Sequence, residues 1–353
     1  MLADDQRLLY GQDAFPILQN RTYETVDGAR ACPRGDIRLV ENLTTGLVYN
    51  AAFRPELVVY DRKYQNEQSG SARYRNHLET VSTLVLKHLG RTNLIEIGCG
   101  KGFFLEMLLQ KAASITGFDP AYEGNNPHIR PEYFRGFIDD RADGIILRHV
   151  LEHIQNPYEF LCTLRDENGG GRIYIEVPCF DWICRQRAWF DVFYEHVNYF
   201  RMVDFHRMFE DVIAGGHLFS GQYLYVVADL AGLRAPQATP GQRLEFPGDF
   251  AARLDTVVHD RASGGVVWGG ASRGVIFSLL CERAGRPVDR VIDINPAKQG
   301  NYLPATGLAV RSPAEGLKDL PRGADIYVMN MNYIDEIREA SSNLFNYVGF
   351  EYD

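Results

Sequence analysis

The sequence predicts an α/β protein built from two parallel-sheet units, and three observations predict it. From about residue 76 to 230, apolar strands alternate with helical segments, the pattern of parallel strands joined by helical crossovers. LIEIGCGKGFFLEMLL, residues 94–109, reads as a buried strand, a glycine turn and an amphipathic helix. GVVWGGASRGVIFSLL, residues 265–280, repeats that strand–glycine–helix order after a connection rich in proline and glycine, GLRAPQATPGQRLEFPGD.

The elements follow in order. Residues 1–75 form a small, turn-rich mixed module with short β-like runs, GLVYNAAF and ELVVY. Residues 76–235 hold the first α/β domain. Its strands are expected at LIEI, SITGFDP, FIDD and ADGIILR. Residues 236–353 hold the second. Here a short helix is expected near 249–262, then the strand GVVWGG, the helix VIFSLLCERAG, and the strands RVIDIN and ADIYVMN. No solenoid-length repeat or low-complexity tract interrupts this plan.

Bulk properties narrow the function. A chain of 353 residues exceeds one hydrophobic core. An apolar fraction of 45% with 24% charged residues is that of a soluble globular protein. A net charge of −9 argues against a nucleic-acid binder, which needs a basic footprint. No apolar run reaches bilayer length, and MLADDQRLLYGQDAF has early acids and no apolar stretch of signal-peptide type. The expectation is a cytoplasmic protein without membrane contact, monomeric or homodimeric. Its six cysteines include no CxxC pair, so neither a disulfide nor a zinc site is expected.

The first glycine loop carries chemistry. Gly98, Gly100 and Gly102 let the backbone turn tightly and approach a ligand with no Cβ in the way. Glu96 precedes the loop, and Asp119 ends the next strand about 20 residues on, where a ribose-binding acid belongs. HVLEH follows the fourth strand. A dinucleotide turn places glycines at positions 1, 3 and 6, whereas here they fall at 1, 3 and 5. These residues together resemble motifs I to IV of the class I S-adenosylmethionine-dependent methyltransferases. The resemblance implies a methyltransferase Rossmann-like core with S-adenosylmethionine as cofactor. It also implies that Glu96 and the loop glycines contact the methionine part, that Asp119 takes the ribose hydroxyls, and that Phe137 and Ile138 flank the adenine. His149, beside the cofactor, joins this set. His149 and His153 are spaced as two metal ligands can be, but no third ligand is evident, so no metal is expected.

The second loop, with Asp293 after its next strand and Arg273 inside the turn, reads on its own as a dinucleotide site. With IDINPAKQGNYLPATGLAV and MNMNYIDEI after it and FYEHVNYF before it, the chain resembles the sugar C-methyltransferases of deoxysugar and polysaccharide pathways. Their layout is an N-terminal module, a methyltransferase core and a second Rossmann-like domain that closes over the substrate. By that likeness the substrate is a small molecule, a nucleotide-linked keto sugar, with Arg273 and Lys298 facing its phosphates. Two departures stand out. The family's N-terminal zinc module is reduced to a single cysteine, Cys32, in the first 90 residues. Its Tyr-His-Glu-His loop is here Phe193-Tyr194-Glu195-His196.

A carbon next to a ketone becomes nucleophilic only when its proton is removed, and histidine is the natural base near neutral pH. His196 is the expected base, Glu195 its orienting or charge-balancing partner, and Tyr194 a hydrogen-bond donor to the developing enolate. YDRKYQNEQSGSARYRNH, residues 60–77, supplies Tyr64, Asn66, Glu67 and Gln68 as further contacts to cofactor or substrate. Two other readings remain at this point: methylation of an oxygen or nitrogen with the same cofactor, and an NAD-dependent oxidoreductase using residues 266–293.

Overall fold

The computed structural model describes residues 3–61, 63–134, 141–239, 241, 243–260 and 264–350. Three sheets organise the chain. β1 (Gln6–Pro16), β2 (Arg34–Asn42) and β3 (Val48–Asn50) make an antiparallel sheet whose fourth strand arrives from far downstream. ELVVY, expected to be β-like, is instead a 3₁₀ turn at Pro55–Leu57 followed by irregular chain. Proline at the head of that turn has no N–H to give to a sheet ladder.

The methyltransferase-like core begins with the helix Ala72–Leu89, capped by Ser71, whose hydroxyl accepts the Tyr74 N–H. Tyr74, Leu78, Val81, Val85 and Leu89 recur at helical spacing and form its buried face. β4 (Leu94–Ile97), β5 (Ile115–Phe118), β6 (Ile129–Arg130), β7 (Gly144–Arg148) and β8 (Arg172–Pro178) follow with helical crossovers at Phe103–Gln110 and Pro157–Asn168. The two-residue strand β9 (Asn198–Tyr199) pairs with β3 and completes the N-terminal sheet. β10 (Val212–Leu218) and β11 (Tyr223–Asp229) return antiparallel onto β8.

The resulting order is β10-β11-β8-β7-β4-β5-β6. β4 and β8 are almost continuously buried because both faces of a central strand are covered. The chain runs from β4 outward through β5 and β6, then crosses to β7 on the other side of β4. That reversal opens a crevice beyond the C-terminal ends of β4 and β7, where α/β sheets bind ligands.

The third sheet is all parallel, in the order β14-β13-β12-β15-β16. Its strands are β12 (Val266–Trp268), β13 (Arg290–Ile292), β14 (Val310–Arg311), β15 (Asp325–Val328) and β16 (Asn346–Val348). The helix Ser272–Arg283 packs so tightly after β12 that a Cβ on Gly274 would stand 1.8 Å from the Gly269 carbonyl oxygen. The expected helix near 249–262 is present at Phe250–Asp260. The expected strand FIDD lies outside the described residues. Among the described residues, no helix is long and apolar enough to cross a membrane.

Candidate active site

One cleft of about 970 Å³ is lined by both glycine loops and by the aromatic segment at 193–196. Gly98 shows why glycine is needed at its mouth: φ is +74°, and a Cβ there would meet Val150 at 2.4 Å. Asp119 latches the loop. Its Oδ2 accepts the Gly100 N–H and its Oδ1 accepts the Ala121 N–H, both at 2.8 Å. Each carboxylate oxygen retains a second lone pair for a ribose hydroxyl. Burial pushes the Asp119 pKa up, opposed by those two N–H groups.

Glu96 lies buried at the end of β4, and its Oε2 has no hydrogen-bond partner. Burial raises its pKa to about 7, although Arg148 pulls the other way. His149 sits in left-handed backbone, φ +54°, a conformation that a non-glycine residue holds only under constraint. Its ring lies between two carboxylates, Glu152 and Glu176, at 3.4 Å each. Burial alone would lower its pKa, but the two carboxylates carry it up to about 9. Phe137 and Ile138 lie outside the described residues.

The aromatic segment divides its side chains in an unexpected way. Residues 194 and 195 form a turn, so the four side chains splay rather than alternate as on a strand. Phe193, Glu195 and His196 line the cleft. Tyr194 does not. Its ring packs beneath Gly35 and Phe53, and its hydroxyl accepts the Arg54 N–H at 2.8 Å, which corrects its expected role at an enolate.

Glu195 is also differently employed. Its Oε2 accepts the Tyr64 hydroxyl at 2.6 Å and its Oε1 accepts the Gln19 N–H at 3.2 Å. Its backbone carbonyl lies 2.8 Å from Nδ1 of His153. A carbonyl only accepts, so Nδ1 of His153 carries the proton and Nε2 is left as the acceptor. Glu195 therefore orients Tyr64 and His153. Tyr60, whose hydroxyl is 3.0 Å from the same His153 nitrogen, belongs to this group as well.

His196 packs against Phe193 at 4.1 Å and against His153 at 4.8 Å between ring centres. Burial, and then the neighbouring His153 and His149, hold its pKa well below the ordinary histidine value. Glu152, 1% exposed with neither carboxylate oxygen hydrogen-bonded, completes a cluster. The donor atoms of Glu152, His153 and His196 all lie within 4.8 Å of one another, a set that can hold a metal ion. The third donor beside HVLEH, which the sequence did not reveal, is His196.

Residues 64–212 match the family described as a methyltransferase domain. This segment is a methyltransferase domain. The protein is accordingly an S-adenosylmethionine-dependent methyltransferase, with S-adenosylmethionine as its cofactor. The loop fits that group, through the bare backbone at Gly98, the acceptor Asp119 and the unpartnered oxygen of Glu96.

Among solved structures, the chain is similar to the Burkholderia thailandensis 1,6-didemethyltoxoflavin-N1-methyltransferase. That match has 15% identity and a TM-score of 0.33 over 46% of this chain and 82% of that one. A Mesorhizobium loti S-adenosylmethionine-dependent methyltransferase matches at 12% identity and TM-score 0.34, over 46% and 99%. The Synechocystis PCC 6803 magnesium protoporphyrin IX methyltransferase matches at 14% and 0.34, over 44% and 82%. No curated protein matches the chain.

The second loop of the methyltransferase copies the first. Gly270 donates to Asp293 Oδ2 at 2.8 Å, as Gly100 does to Asp119. Arg273, expected to meet a phosphate, places Nε and Nη2 on the two oxygens of Asp191 at 2.6 Å each. Its fork also reaches Gln222 and the Met329 carbonyl, so it braces the C-terminal loop against the core. Lys298 lines the cleft with Nζ 3.2 Å from Asn20 Oδ1, 3.3 Å from the Gly270 carbonyl and 3.9 Å from Asp293; burial lowers its pKa. Tyr64, Asn66, Glu67 and Gln68 all reach the cleft wall.

Proposed function

We propose that the enzyme methylates a carbon atom beside the ketone of a nucleotide-linked sugar, with His196 as general base. The observation that carries this reading is the state and place of His196. It is an imidazole held neutral by burial, facing the cleft between the cofactor loop and the C-terminal loop, with a second imidazole beside it. A neutral ring is competent to accept a proton at physiological pH.

In this reading His196 takes the proton from the carbon next to the ketone. The C–H electron pair passes to the carbonyl oxygen as an enolate, and the carbon then bonds to the methyl group. Held at the first loop, the cofactor would supply that methyl from its sulfonium, the S–CH₃ electron pair staying on sulfur as the neutral thioether of S-adenosylhomocysteine. Tyr60, anchored at His153, and the buried ammonium of Lys298 are the nearby groups suited to a developing negative oxygen. The aromatic wall of Phe193, Phe53 and Tyr64 keeps water from the reacting carbon. A cleft of about 970 Å³ leaves room for a sugar and its nucleotide carrier.

The test is proton exchange. In D₂O without methyl donor, a nucleotide-linked keto sugar is expected to exchange its α-proton with wild-type protein and not with His196→Ala. Methylation of an oxygen or nitrogen without any exchange would overturn the carbon assignment.

A further inference from the structure

Glu152 belongs to a 3₁₀ turn, Leu151–His153, that follows β7 and lines the cleft. Asn198 of β9 fastens this turn: its Nδ2 donates to the Ile154 carbonyl at 2.6 Å and to that of Leu151 at 3.4 Å. The backbone thus fixes where the carboxylate stands. The residue is 1% exposed, yet neither of its oxygens receives a hydrogen bond. His149 offers charge, its Nδ1 3.4 Å from Oε1, but a hydrogen bond between charged groups is shorter, about 2.7–2.9 Å.

Glu152 does not stand alone. One of its oxygens, a nitrogen of His153 and a nitrogen of His196 lie within 4.8 Å of one another. His153 gives its Nδ1 proton to the Glu195 carbonyl, which leaves Nε2 to accept. His196, as the proposed base, also offers a lone pair. Lone pairs are therefore gathered where the methylated carbon must sit. The C–H that His196 removes engages one of them. A buried carboxylate beside it remains costly unless the ligand brings an N–H or O–H group.

We propose that Glu152 selects the acceptor by accepting a hydrogen bond from a hydroxyl or amino group carried on the methylated carbon. The reading rests on the carbon methylation proposed above. Reach sets the position. Such a group is one bond from the carbon that faces His196, and it lies within hydrogen-bond distance of Glu152, about 2.7–3.0 Å. A carboxylate accepts from either donor, whereas a bare hydrogen at that place leaves the buried charge without a partner.

The proton-exchange assay tests it with three nucleotide-linked keto sugars, whose α-carbon carries a hydroxyl, an amino group or only hydrogen. Each rate is divided by the uncatalysed exchange of the same sugar. Wild type is expected to act on the deoxy sugar with a kcat/KM about 10–100-fold below the better of the other two, the effect of a hydrogen bond to a charged group. The better of the two identifies the substituent. Glu152→Ala is expected to bring the three sugars within about threefold of one another and to hold S-adenosylhomocysteine within about threefold of wild type. Equal exchange of all three by wild type overturns the proposal, and so does full discrimination retained by Glu152→Ala. A loss of S-adenosylhomocysteine affinity as large as the loss in exchange would assign the carboxylate to the cofactor instead. Should Glu152→Ala fail to fold, the wild-type comparison decides alone. Exchange from none of the three would overturn the carbon reading, and this proposal with it.

Discussion

The Tyr64 hydroxyl donates to the Glu195 carboxylate at 2.6 Å, joining the segment before the methyltransferase core to the segment that carries His196. Glu195 is 1% exposed, so its charge depends on such donors. Tyr64→Phe leaves one buried oxygen short of a partner, at a cost of about 1–3 kcal/mol. The melting temperature is expected to fall and turnover with it, while affinity for S-adenosylhomocysteine holds. An unchanged melting temperature would count against this linkage.

His196→Ala and Tyr194→Phe should separate cleanly. Losing the proposed base lowers turnover about 10²–10⁴-fold with cofactor affinity intact. Tyr194→Phe removes only an acceptor for the Arg54 N–H away from the cleft, so kcat should stay within about twofold while stability drops slightly. Steady-state kinetics on the two variants decides it. Comparable losses in kcat would return Tyr194 to the site.

We expect cofactor binding to depend on pH near neutrality through Glu96, the acid whose place before the glycine loop implies contact with the methionine part. Its pKa in the folded, ligand-free protein is raised to about 7, and only its ionised form attracts an ammonium. Affinity for S-adenosylhomocysteine is therefore steady above about pH 8 and weakens up to tenfold per pH unit below 7. The stability linkage has the opposite sense. A carboxyl whose folded pKa lies above its unfolded value helps the fold at low pH, and that help is lost as pH rises through 7. Glu96→Gln should raise the melting temperature at pH 8, relieving up to ~3 kcal/mol, and flatten the binding profile. A wild-type profile flat from pH 6 to 8 would contradict this.

Glu152, His153 and His196 predict inhibition by a metal rather than a need for one. His153 Nδ1 is engaged with Glu195 and Tyr60, and His196 must keep its lone pair to act as base. Zinc added in excess should suppress turnover by occupying the three donors, and EDTA should restore it. Activity raised by zinc would reverse the assignment of His196.

What was legible in the sequence was what the backbone dictates. Gly98 and Gly102 take a left-handed turn and Asp119 closes it, as the glycine spacing and the acid after the next strand imply for the first loop. Side-chain direction in an irregular segment was not legible. Nothing in Phe-Tyr-Glu-His says that residues 194 and 195 turn, so the sequence points Tyr194 at the cleft and gives no sign of Tyr60 there. Arg273 was read as a phosphate ligand because its partner, Asp191, lies far off in the chain and shows no local pattern.

The two-residue strand β9 follows His196 almost at once and hydrogen-bonds to β3, in a sheet otherwise drawn from the first 50 residues. Chain order and assembly order therefore part company. As the polypeptide emerges, the N-terminal sheet must wait with an open edge while β4 to β8 are made, and it closes only when Asn198 and Tyr199 arrive. Docking that last strand draws the preceding aromatic segment into place. The His196 imidazole is thus positioned late in synthesis, by a strand made after β4 to β8 and before β10 and β11 complete the central sheet.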